Sequence, residues 1–114
     1  LDEELPQVAM MREEYRKRRD LVCASLSDCP GLRPIRPDGV MFVMVDVRET
    51  GLSAQRFAER LLDGYGVSVL AGEAFGPSAA GHIRIGLVVD RRKLADACQR
   101  IASCASELLE ARRA

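Results

Sequence analysis

"AGEAFGPSAAGHIRIGLVVD", residues 71–90, decides how this chain is read. Its second half, "HIRIGLVV" at 82–89, is an apolar run with one arginine, Arg84, set inside it. Side chains alternate across a strand, so His82, Arg84 and Gly86 share one face while Ile83, Ile85 and Leu87 share the other. The aliphatic set predicts a face packed on helices. The Arg84 set predicts a face turned to solvent, a partner or another domain. Gly86 leaves the guanidinium room there, and a strand of this kind presents a forked donor that binds a planar carboxylate through two parallel hydrogen bonds. An ion pair with a nearby Asp or Glu, or a wet sheet face, is the plainer use of such an arginine.

Working outward, "VSVLA" at 67–71 reads as a short strand that enters the Gly/Pro/Ser-rich loop before His82. Ahead of it, Ala54, Phe57, Ala58, Leu61 and Tyr65 define an amphipathic helix, with Ser53 as its N-cap and "GYG" at 64–66 as its stop. "VMFVMVDV", residues 40–47, is apolar on both faces and predicts a central strand buried on both sides, or nearly so. "DCPGLRPIRPDG" at 28–39 breaks the chain and leaves space for a short edge strand at most. From about Glu3 to Ser27, Val8, Met11, Tyr15, Val22 and Leu26 fall on one face of a long helix, with Glu13–Lys17 and Glu14–Arg18 as i,i+4 pairs on its outer faces. Asp90 caps a last helix whose stripe runs Leu94, Ala97, Cys98, Ile101, Cys104, Ala105, Leu108. The order is helix, strand, helix, strand, strand, helix. It predicts an α/β (α+β) two-layer sandwich, a small, mostly antiparallel sheet with helices on one face.

At 114 residues, the chain is expected to form a single domain, 1–114, with one core. Seventeen basic and seventeen acidic residues cancel, which argues against a dedicated binder of nucleic acid or anionic membrane. No apolar run approaches a membrane span. The four cysteines form no C-x-x-C pair, and the one histidine, His82, is distant from all of them, so a metal site is not expected. Cys98 and Cys104 read as small buried hydrophobes of a reduced, cytoplasmic protein. "RKRR" at 16–19 points all around a helix and is offset by Glu13, Glu14 and Asp20. "GEAFG" joins two strands, not a strand to a helix, which disfavours a phosphate cradle. His82 reads as an ordinary strand histidine. The chain opens at Leu1 without a methionine and enters a helical pattern almost at once, as a processed protein or a piece of a longer chain would.

Four blocks, in order, are similar to the C-terminal small domain of the class I/II pyridoxal-phosphate aminotransferases of fold type I. They are "MMREEYRKRRD" (10–20), "RPDGVMFVMVDV" (36–47), "FAERLLDGYGVSVLAGEAFGP" (57–77) and "GHIRIGL" (81–87). Each resembles a family pattern: an aromatic residue ahead of R-R-D, P-x-G-G-x-F leading to an aspartate, G-V-x-V-x-P-G-x-x-F-G, and G-x-x-R-[IL]-x-[FL]. Together they cover nearly the whole chain. The resemblance implies that Arg84 binds the α-carboxylate of an amino-acid substrate and that Gly39 and Val40 lie beside it. Ala71 stands where the family often has proline, and Val40 where it often has glycine or alanine; the bulkier Val40 would narrow the substrate pocket.

The same resemblance implies a parent enzyme that moves an amino group from an amino acid to a 2-oxo acid on pyridoxal 5'-phosphate, as a homodimer. Bacterial enzymes of basic or general amino acids look most similar, and arginine with pyruvate is the pair this suggests, though no motif decides it. Such catalysis needs a Schiff-base lysine after a serine-rich loop. Lys17 and Lys93, the only lysines, lie in "EEYRKRRD" and "DRRKLAD", on polar helix faces. No catalytic residue is therefore expected in these residues, and the cofactor contacts are expected upstream, in a large domain. A free-standing module that binds an amino acid or another carboxylate through Arg84 is the alternative.

Overall fold

Four antiparallel strands form one sheet in the order β1-β2-β4-β3, with the helices on one of its faces. The computed structural model describes residues 5–36 and 41–113. The elements are α1 (Pro6–Leu26), β1 (Arg33–Ile35), β2 (Phe42–Asp46), α2 (Ala54–Tyr65), β3 (Leu70–Ala71), β4 (His82–Gly86) and α3 (Arg91–Arg113). This is the two-layer sandwich that the patterning predicts. All of the strand pairings are antiparallel.

The local signals act as their chemistry requires. The Ser53 hydroxyl accepts from the Arg56 amide at 3.2 Å and starts α2, and Gly66, at φ +69°, closes it. Asp90 Oδ1 accepts from the Lys93 amide at 2.9 Å and caps α3. Val43, Val45, Val47, Ile83, Ile85 and Leu87 all point into the core, against Phe57 and Leu61 of α2 and Leu94, Cys98, Ile101 and Cys104 of α3. Fully buried aliphatic and aromatic side chains of this kind contribute about 1.5–3 kcal/mol each.

Five expectations need correction. Strand 67–71 contributes only Leu70 and Ala71 to the ladder, and 82–89 ends as strand at Gly86; beyond it the Leu87 amide bonds the Met41 carbonyl at 3.0 Å. β2 is central, between β1 and β4, but only one of its faces is fully buried: Phe42 and Met44 are half-buried. The α1 stripe packs from Tyr15 onward, with Val22, Cys23 and Leu26 fully in the core, while residues 5–13, Val8 and Met11 among them, are all exposed. Glu13 pairs with Arg16 at 3.2 Å, one residue nearer in sequence than Lys17. Glu14 does pair with Arg18 at 3.1 Å, and it also meets Arg91 at 3.2 Å. Arg18 in turn donates to the Leu87 carbonyl at 2.9 Å, so this cluster pins α1 to the end of β4 and the start of α3.

Candidate functional site

Arg84 lies on the sheet face opposite the helices, as the alternation in β4 predicts. Ile83 and Ile85 beside it are buried, and Arg84 and His82 are half-buried. Met44 of β2 and Leu70 of β3 are its direct cross-strand neighbours. Among the described residues no carboxylate pairs with it. Its contacts are two aromatic faces: the guanidinium carbon is 3.8 Å from the ring centre of Phe42 and 4.9 Å from that of Phe75. A cation against two aromatic rings is attracted to both quadrupoles and can keep its hydrogen-bonding edge free. Gly86, exposed and opposite Phe42, leaves open space beside it.

The surroundings of Arg84 are apolar. Ile35, Leu70 and Phe75 are all exposed, Leu70 to 55% and Phe75 to 49%. One cation on an apolar face is suited to bind a small carboxylate. Gly39 and Val40, expected beside Arg84, lie outside the described residues.

At the other end of β2 the same face carries Asp46, only 8% exposed. Its Oδ1 accepts from the Arg48 amide at 2.9 Å, and Arg48 Nε and Nη2 approach its two oxygens at 3.0, 3.2 and 2.7 Å. Those bonds, Arg48 foremost, lower the Asp46 pKa to about 2 against the opposing effect of burial. Arg33 Nη2 stands 3.8 Å away, and His82 is the cross-strand partner. The Asp46–Arg48 pair is closed from above by Gly81, where a Cβ would come within 2.5 Å of Arg48 Cγ. His82 bonds the Ala80 carbonyl through Nδ1 at 2.9 Å, a local structural role. This cluster consumes its own charges, whereas Arg84 does not.

Phe42, Phe75 and the Arg48 clasp were not singled out from the sequence. Phe42 stands two positions from Met44 on the Arg84 face, so the alternation in "MFVMVDV" signals it once the register is known. Phe75 stands at the phenylalanine of the G-V-x-V-x-P-G-x-x-F-G pattern, but nothing in that pattern shows that it reaches Arg84 from its loop.

Several buried groups away from Arg84 are shifted by their surroundings. Burial pushes the Cys98 thiol up to about 11 and also raises Cys23 and Cys104. Desolvation, with a hydrogen bond to Glu107, takes Tyr65 up to about 12. A hollow of about 660 Å³ opens between α2 and α3, away from Arg84, and is lined by Arg56, Glu59, Arg60, Asp63 and Glu107. Its mixed charges give it no single-signed ligand preference. Three members of "RKRR" are paired: Arg16 with Glu13, Arg18 with Glu14, Arg19 with Asp20. No described helix is long and apolar enough to cross a membrane.

The chain is similar to known proteins in both sequence and fold. The sequence pattern of the family described as aminotransferase class I and II matches residues 1–101. The arginine–pyruvate transaminase AruH of Pseudomonas aeruginosa is 70% identical over 109 residues, which cover 96% of this chain and 28% of that protein. An aspartate/prephenate aminotransferase of Thermus thermophilus is 39% identical over 95 residues, 83% of this chain and 24% of its own length. Among solved structures, an aromatic aminotransferase from Pyrococcus horikoshii superposes with a TM-score of 0.83 at 35% identity, over 89% of this chain and 27% of that one. The aspartate aminotransferase from Thermus thermophilus with maleate gives 0.75 at 38% identity, over 85% and 24%. The chain thus spans about a quarter of the length of these relatives. With a pattern that matches residues 1–101 and a fold shared with these enzymes, the chain belongs to the class I and II aminotransferase family.

Proposed function

We propose that these residues are the C-terminal small domain of a longer aminotransferase and that Arg84 binds the α-carboxylate of its amino-acid and 2-oxo acid substrates. The observation that carries this reading is the environment of Arg84: in contact with two aromatic rings and without a carboxylate partner among the described residues. Its open edge faces an apolar surface that accepts one wall of a pocket. Exposed Met10 and Met11 on α1, at 73% and 57%, support the presence of further structure against this domain. Gly39 and Val40 complete the carboxylate wall in this reading. Arginine is the proposed amino donor and pyruvate the acceptor, on the strength of the 70% identity to the Pseudomonas aeruginosa enzyme. The enzyme is proposed to act as a cytoplasmic homodimer, without nucleic acid or membrane as a partner.

Members of this family use pyridoxal phosphate, which serves as the electron sink for amino-group transfer. The described residues do not fit that group. Lys17 on α1 and Lys93 on α3 are both exposed, on the helical layer, with the sheet between them and the Arg84 face. The domain's own part is to bind and orient a carboxylate. Residues 1–114 alone are expected neither to show a Schiff-base absorbance band with pyridoxal phosphate nor to transaminate.

The test is to express the full-length gene product and assay transamination between arginine and pyruvate, with R84K beside it. Lysine keeps the charge but cannot fork, so R84K is expected to raise KM for both substrates by about 30- to 1,000-fold. Equal KM values in R84K and the parent would refute the role assigned to Arg84.

A further inference from the structure

Phe75 reaches Arg84 from a loop, and the structure shows what holds that loop. Glu73 sits two residues earlier in the 3-10 turn Gly72–Phe75. Its Oε1 accepts from the Gln55 amide at 2.7 Å, and its Oε2 accepts from the Gly81 amide at 2.6 Å. Gln55 is the second residue of α2, so one oxygen takes a backbone donor that the helix itself cannot satisfy, where the helix dipole favours an anion. Gly81 immediately precedes β4. One carboxylate therefore ties the start of α2 to the start of the strand that carries Arg84, and the segment bearing Phe75 is closed between the two ties.

The segment has little freedom apart from this. Gly72 is so close to the chain opposite that a Cβ would lie 1.8 Å from the Ala79 carbonyl oxygen. Two i,i+3 bonds, Ala79 amide to Gly76 carbonyl and Ala80 amide to Pro77 carbonyl, both 3.2 Å, wind the rest. The ring of Phe75 is half exposed, and its described charged partner is Arg84.

We propose that Phe75 and Glu73 are positioning residues for Arg84. Phe75 and Phe42 sandwich the guanidinium and fix the plane of its fork, and Glu73 fixes the loop that brings Phe75 there. The proposal rests on the carboxylate-binding reading of Arg84. A guanidinium already held in plane loses less freedom when a carboxylate docks, and its two faces are shielded from water, so the open edge alone competes for hydrogen bonds. Removal of one ring should therefore weaken carboxylate binding by the share that a single cation–π contact contributes, about 2- to 30-fold.

The experiment uses the full-length gene product and pyruvate as the probe. Its dissociation constant is measured by calorimetry for the parent protein and for F75L, F75Y, E73A and R84K, with kcat and KM measured alongside. F75L and E73A are expected to weaken pyruvate binding by about 2- to 30-fold and to raise KM more than they lower kcat. F75Y, which keeps the ring, is expected to bind within about twofold of the parent. If F75L and E73A bind pyruvate as tightly as the parent while R84K does not, the clamp is overturned and the role of Arg84 stands. If R84K also binds normally, the carboxylate reading fails and the clamp fails with it. Should E73A not fold, F75L against F75Y carries the decision.

Discussion

Replacement of Asp46 by asparagine tests whether the Asp46–Arg48 clasp is a structural brace. The carboxylate is 8% exposed and accepts from the Arg48 amide at 2.9 Å and from its guanidinium at 2.7–3.2 Å. Its pKa falls from 3.8 to about 2, chiefly through Arg48. A depression of nearly two units corresponds to about 2.5 kcal/mol of stability at neutral pH. The Arg48 side chain is 63% exposed, so solvent screening reduces this to about 1–2 kcal/mol. The sign follows from the depressed pKa. The contribution is complete above the unfolded-state pKa and is lost as pH falls toward 2, with about half gone by pH 3. Urea denaturation of the parent chain and D46N, followed by circular dichroism at pH 7, 5, 4 and 3, reads the difference directly. D46N should be less stable by about 1–2 kcal/mol at pH 7, and the gap should narrow below pH 4. A gap that is absent at pH 7, or that holds constant down to pH 3, would refute the reasoning.

Other perturbations have equally definite outcomes. Gly72→Ala places a methyl 1.8 Å from the Ala79 carbonyl oxygen, a backbone collision that no rotamer relieves, and should lower stability by at least about 2 kcal/mol in the same denaturation assay. Thiol labelling of the folded chain at pH 8, followed by mass spectrometry, should modify the half-buried Cys29 first; Cys23, Cys98 and Cys104 should react at comparable rates only after denaturation. Phe57→Ala, in the centre of the core, should cost about 3–5 kcal/mol by urea denaturation, with loss of the cooperative transition as the severe outcome.

Much of the fold was legible because its signals are local. Ser53, Gly66 and Asp90 mark helix ends through bonds to backbone groups a few residues away, and the alternation in "HIRIG" sorts Ile83 and Ile85 from Arg84 without knowledge of the partner strand. Two errors share a cause. Val8 and Met11 follow the helical period, and Phe42 and Met44 fit a buried strand, yet the first two are exposed and the second two half-buried. Hydropathy reports that a face is apolar and is silent on what lies against it. The clamp around Arg84 was hidden for another reason. Phe42 depends on the register of β2 against β4, and Phe75 depends on a loop shaped by Glu73 across 18 residues to Gln55. No short-range pattern encodes either contact.

A crystal structure of the full-length gene product with pyruvate bound tests the central claim most directly. The account predicts the pyruvate carboxylate in the plane of the Arg84 guanidinium, with two hydrogen bonds of about 2.7–2.9 Å and the rings of Phe42 and Phe75 on either side. Pyruvate held elsewhere, with Arg84 paired to an acidic side chain of the protein, would contradict it.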